Sequence, residues 1–249
     1  MSLFHTWRSN PALRLKASLE APGLTEKITS NKQKSIAVAQ NESALFSEMK
    51  HRFLSFKKNK YMENLECFQN LAKGQAPKHP RISARRSLCS PQCGNLVPPF
   101  ESGPSETNAA LEFAVNALEV ANILVIGHSC CGGIRALMSM QDEENSRSFI
   151  KSWVAVGMHA RLSTKAAASN LSFDQQCRHC EKESINRSML NLLTYQWIAE
   201  RVTNGLLSIH GGYYDFIDCT FEKWTLNYHG SSSKEENGRY PIINREFWC

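Results

Sequence analysis

No stretch of the 249-residue chain holds the run of roughly 18 apolar residues that a membrane helix needs, and none has the apolar core of a secretory leader. A spanning helix is therefore excluded. No internal repeat is evident, which argues against a repeat architecture. Charge of one sign is also scarce: 29 basic and 23 acidic residues leave a net charge of +6. No sustained basic run extends beyond Lys78–Arg86, and aromatics do not interleave with the basic residues, so nothing points to nucleic acid. The nine cysteines, at positions 67, 89, 93, 130, 131, 177, 180, 219 and 249, are an odd number. They read as reduced thiols of an intracellular or organellar compartment, some of them metal ligands.

What is present is organised around Ile123–Met140, ILVIGHSCCGGIRALMSM. Ile123, Leu124, Val125 and Ile126 form the short apolar run of a buried parallel strand. Gly127 ends it, and Gly132 and Gly133 open a helix through Met138. In open α/β sheets, chemistry sits beyond the carboxyl ends of the strands. There His128 and Cys131, two residues between them, can both turn toward one ion. A helix N-terminus beside Cys131 favours thiolate, the metal-binding form. The paired glycines remove bulk where a small ligand would approach backbone N–H groups. The spacing thus reads as a metal half-site, or as a strand-to-helix turn holding a buried thiol and a hydrogen-bonded histidine.

Residues 1–40 differ from the rest. Met1–Ser30 carries Arg8, Arg14, Lys16 and Lys27 against Glu20 and Glu26, with scattered serines, threonines and two prolines, either a transit-like segment or an ordinary tail. From Asn41 the pattern is helical, with Leu45, Met49, Phe53 and Phe56 at near-helical spacing. A second helix through Tyr61, Leu65, Phe68 and Leu71 stops at Gly74. Ser105 or Thr107 caps a helix carrying Leu111, Val115 and Leu118. A helix spans Phe149–Leu162, and another spans Ser184–Val202. Leu206–His210 is a strand, Gly211-Gly212 a turn and Tyr213–Phe216 its continuation, and the alternation from Phe221 to Leu226 predicts an edge strand. Cys177-Arg178-His179-Cys180 has zinc or dithiol spacing, but no second C-x-x-C pairs with it and no strand precedes it, so structural thiols are expected.

GHSCCGGIRALM resembles the second zinc motif of the β-class carbonic anhydrases, the plant ones in particular. The likeness extends through Phe53–Lys78, Asn95–Val120, Phe173–Ile198 and Ser208–Leu226, so it spans roughly Ala44–Tyr228. It implies an α/β domain over 41–230, a central, mainly parallel sheet flanked by helices and preceded by N-terminal helices. Residues 1–40 form a tail with a chloroplast address (the alternative being cytoplasmic), and 231–249 a polar linker and C-terminal extension. The implied reaction is reversible hydration of carbon dioxide to bicarbonate by zinc-bound hydroxide. His128 and Cys131 are the implied zinc ligands; Phe113, Gly132 and Gly133 line the substrate pocket. The implied assembly is a homo-oligomer built from dimers.

One stretch departs from the family. Between GQAPK and NLVPP the family carries a strand, a C-x-D-S-R motif and a second strand. Here residues 79–94 read HPRISARRSLCSPQCG. They contain no aspartate and no run able to form a central strand, which leaves one central strand, the first zinc cysteine and the catalytic Asp/Arg pair without counterparts. Cys89 and Cys93 are the local thiols that would have to substitute as metal ligand. The alternative function is a catalytically inactive family member acting as an oligomer partner or as a zinc- or thiol-binding protein.

Overall fold

The computed structural model describes residues 42–72, 96–140, 154–228 and 242–249. Strand β1 (Asn122–His128) lies parallel to β2 (Ser208–Asp215), with Ile123 opposite Ile209 and His128 opposite Tyr214. Strands β3 (Thr220–Leu226) and β4 (Ile242–Trp248) follow, each antiparallel to the one before, giving the sheet order β1-β2-β3-β4. Among the described residues the sheet is therefore mixed, and β1 has β2 as its one strand neighbour. The unmatched strand of the sequence reading falls in 79–94, outside the described residues.

Helices cover both faces. On one, α1 (residues 42–56) continues through a π-helical turn, Lys57–Tyr61, and a 3₁₀ turn to α2 (Leu65–Ala72). Its buried side keeps Met49 and Phe53 of the predicted face but not Leu45. Leu45 is 42% exposed, and Phe46 is buried against the sheet with Phe221 and Trp248. Phe53 meets Tyr214, Phe221 and Trp248 at ring-centroid distances of 6.0–6.1 Å. The aromatic side chains of β2, β3 and β4 thus decide the rotation of the helix, which a one-segment pattern cannot show.

On the other face lie α3 (Glu106–Glu112), capped by Ser105, which accepts the Asn108 N–H, then α4 (Gly132–Ser139), α5 (Met158–Ala167), α6 (Phe173–Leu192) and α7 (Gln196–Thr203). Ser172 and Gln175 form a reciprocal capping box that starts α6. The single helix expected over Ser184–Val202 is broken at Tyr195, whose backbone is extended and whose hydroxyl donates to Pro98 O or Asn108 Oδ1, both at 2.9 Å. Those tethers hold the chain off the helical path. The core of this face gathers Val125, Ile185, Met189, Leu192, Ile209, Tyr213 and Trp224.

Two other expectations change. Gly211 and Gly212 lie inside β2 and do not turn the chain. A Cβ on Gly211 would collide with the indole of Trp224, and one on Gly212 would meet Phe221 Cζ at 2.5 Å. Bare backbone there lets the rings of β3 cross β2. Strand β3 is not an edge, because Ile242–Trp248 adds to it as β4, with Trp248 buried against Phe221 at 4.8 Å. The segment set apart as a C-terminal extension therefore contributes a strand to this sheet. Of the expected Phe149–Leu162 helix, residues 149–153 lie outside the described residues. The chain is helical from Met158 after a 3₁₀ turn at Ala155–Gly157.

Candidate metal centre

β1 ends at His128, and α4 begins one residue after Cys131. Between them Cys130 takes φ +57°, a left-handed conformation that non-glycine residues rarely adopt. That residue folds the chain back on itself and brings His128 and Cys131 close enough for each to shift the other's titration. Cys131 is 5% exposed, packed with Ile134, Leu137, Cys177 and Cys180.

The tautomer of His128 follows from its neighbours. Nδ1 lies 2.9 Å from the Ser129 carbonyl oxygen, which only accepts, so Nδ1 carries the proton. That leaves Nε2 as the ring nitrogen free to take an ion, the arrangement by which a hydrogen bond at one ring nitrogen orients the other. Phe216 packs against the imidazole edge-on, its centroid 5.1 Å away.

The surroundings shift the thiol toward thiolate and the imidazole toward its protonated form. Burial pushes the Cys131 thiol up, but the neighbouring His128 and the backbone N–H groups of Ile134 and Gly133 outweigh it and hold the thiol below its ordinary value. Burial likewise pulls His128 down, and the neighbouring Cys131 and the bond to Ser129 reverse the sign, leaving it raised. The first turn of α4 supplies the N–H groups, as the glycines at its start predict.

Behind the pair stands Glu181 of α6, 4% exposed. Its Oε1 accepts the Cys131 N–H at 2.9 Å, and its Oε2 accepts the Tyr213 hydroxyl at 2.8 Å. Burial raises its carboxyl above the usual range. Ser129 donates to Asp215 Oδ1 at 3.1 Å and accepts the Phe216 N–H at 2.8 Å, pinning the turn to the end of β2.

Residues 90–221 match the carbonic anhydrase family. Beta carbonic anhydrase 5, chloroplastic, of Arabidopsis thaliana is 52% identical over 253 residues, covering 95% of this chain and 82% of that protein. The chain belongs to the β-class carbonic anhydrases. Beta carbonic anhydrase 6, mitochondrial, of the same plant is 48% identical over 217 residues, covering 81% of this chain and 73% of the relative. The solved β-carbonic anhydrase CcaA superposes with a TM-score of 0.51 at 22% identity, covering 81% of this chain and 93% of that one, a likeness of fold.

β-Carbonic anhydrases are zinc-dependent enzymes. Zinc takes thiolate and imidazole donors, four in a structural site and three in a catalytic one. His128 and Cys131 fit two of those positions by donor type and mutual approach. Among the described residues no group of three or more His, Cys, Asp or Glu side chains gathers to hold a metal. Cys89 and Cys93 lie outside the described residues.

Of the remaining sequence-named residues, Gly132 and Gly133 open α4 beside the thiol, as expected. Phe113 ends α3 at the start of a π-helical turn and is 52% exposed; among the described residues no hydrogen bond or ring contact joins it to the pair. Cys177 and Cys180 are buried in α6, one turn apart, and burial raises both thiols, Cys180 to about 12. Glu181 and Tyr213 were not named from sequence. A signal existed, since Glu181 falls on the stripe Cys177, Cys180, Ser184, Ile185, Ser188, where a charge must find partners to be buried.

Proposed function

We propose that this chain catalyses the reversible hydration of carbon dioxide to bicarbonate, with His128 and Cys131 as zinc ligands. The observation that carries the reading is the placing of these two side chains on one turn between β1 and α4, near enough to shift each other's titration, in a member of the β-carbonic anhydrase family. Zinc, when bound, lowers the pKa of water to near neutrality and so supplies hydroxide at working pH. The chain's own residues do the rest. Ser129 O holds the proton on His128 Nδ1 and frees Nε2. The Gly133 and Ile134 N–H groups stabilise Cys131 as thiolate. Gly132 and Gly133 keep side-chain bulk off the approach to the ion, and Phe113 is the pocket aromatic of the reading. The first zinc cysteine of the family has no counterpart in the sequence, and Cys89 or Cys93 would have to fill its place.

The remaining assignments follow the same reading. The composition of Met1–Ser30 and the chloroplastic relative support a plastid address. Exposed Ile242, Ile243 and Phe247 on β4 support a homo-oligomer.

Stopped-flow carbon dioxide hydration by the full, zinc-supplied chain tests the proposal. Turnover that is lost in Cys131→Ser supports it, and a rate equal to buffer alone overturns it. The second reading, an inactive subunit that joins competent copies, rests on the absence of C-x-D-S-R from the sequence. It predicts no turnover from this chain alone and stable co-purification with an active relative.

A further inference from the structure

A carboxylate with 4% exposure is costly unless its oxygens are used, and each oxygen of Glu181 has one named donor. Oε1 takes the Cys131 amide and Oε2 the Tyr213 hydroxyl. One side chain on α6 is thereby tied both to the β1–α4 turn and to β2. Cys131 is the N-cap residue of α4, its φ −72° and ψ 115°, and its own side chain makes no capping bond. Its amide, which has no intrahelical acceptor, is held from outside the helix by Glu181. The backbone of Cys131 sets the direction of its Cα–Cβ bond and so of Sγ.

We infer that Glu181 is a positioning residue. By holding the Cys131 amide, with Tyr213 bracing its far oxygen, it keeps Sγ facing His128 and sets how tightly the pair retains zinc. The inference rests on the zinc reading above. It requires an acceptor at the right reach and does not require a negative charge. In Glu181→Gln the amide oxygen accepts from Cys131 and the amide nitrogen donates to the Tyr213 oxygen, so the geometry survives. Glu181→Ala loses both bonds, Glu181→Asp is one methylene short, and Tyr213→Phe removes the brace alone.

Two readouts on the full chain test this. One is zinc affinity, by competition with a chromophoric chelator; the other is amide hydrogen exchange over residues 129–134 in metal-free protein. Partners that orient metal ligands are worth roughly 10–100-fold in affinity when removed. Glu181→Ala is expected to weaken zinc by that factor and to speed Cys131 exchange selectively. Tyr213→Phe should fall between it and wild type, and Glu181→Gln should stay within about threefold of wild type, short of that range. Gln behaving like Ala, or Ala matching wild type in both readouts, overturns the inference. So does exchange in Glu181→Ala that rises throughout α6, which marks a purely structural role. If wild type takes up no zinc, the proposed reaction fails, and exchange at Cys131 alone decides for or against Glu181.

Discussion

A Cβ on Gly127 would lie 2.6 Å from Ile185 Cδ1 and 2.8 Å from its Cγ1. Strand β1 and helix α6 cross where only a hydrogen fits between them. Glu181 is one helical turn from that crossing, and its backbone oxygen lies 3.6 Å from the same Cβ position. The closeness of the crossing is what lets the Glu181 carboxylate reach the Cys131 amide.

Gly127→Ala should therefore cost about 1–3 kcal/mol, the usual penalty for overpacking. Ile185→Ala, which empties the facing space, should partly rescue it. Urea denaturation of the two single variants and the double variant measures this. The double variant should be destabilised by at least about 1 kcal/mol less than the sum of the singles, because residues in contact couple. Strict additivity would mean that the crossing tolerates the methyl group.

His210 makes stability fall in acid. It is 0% exposed, with Thr225 Oγ1 2.9 Å from Nδ1 and Asn122 Oδ1 3.0 Å from Nε2. Glu42 Oε1 at 3.7 Å favours the imidazolium, but burial and the nearby Lys223 prevail and push the imidazole down to about 3. In the unfolded chain it titrates near 6.5. Below that pH the unfolded state binds a proton that the folded state refuses, so this group's contribution is flat above about 6.5 and stability drops toward about 3. Between pH 7 and pH 5 the loss should be about 2 kcal/mol. Denaturation at the two pH values, for wild type and His210→Asn, should show that difference in slope. Equal slopes would mean His210 is protonated in the fold.

The thiols of the C-x-x-C motif should be inert. Cys180 is 0% exposed and pushed up to about 12, and burial also raises the 6%-exposed Cys177, whereas Cys67 and Cys249 are exposed. Since thiolate is the reacting form, iodoacetamide at pH 8 should label Cys67 and Cys249 first. Cys177 and Cys180 should label only after denaturant is added. Peptide mass mapping over time reads this directly, and early label on Cys180 would contradict it.

The parts of the fold legible in the sequence were those that a short segment decides for itself. Ile123–Ile126 is apolar without interruption and became β1; Gly132 and Gly133 follow a strand and opened α4. The spacing of His128 and Cys131 was readable because both lie on one turn. Long-range packing decided the rest. Gly211 and Gly212 look like a turn until Trp224 and Phe221 claim the space above them. Tyr195 sits mid-pattern in a helix until Pro98 and Asn108, far back in the chain, bind its hydroxyl. Glu181 reads as an ordinary helix surface charge unless its register with Cys177, Ser184 and Ile185 is followed. Its two partners, 50 residues before it and 32 after it, carry no local signature.

The central claim is that His128 and Cys131 hold zinc in this chain, and zinc stoichiometry of the purified full-length protein tests it most directly. Near one zinc per chain in wild type, with a steep loss in both His128→Ala and Cys131→Ser, is the expected result. Wild type without zinc, or either variant retaining it in full, would contradict the claim.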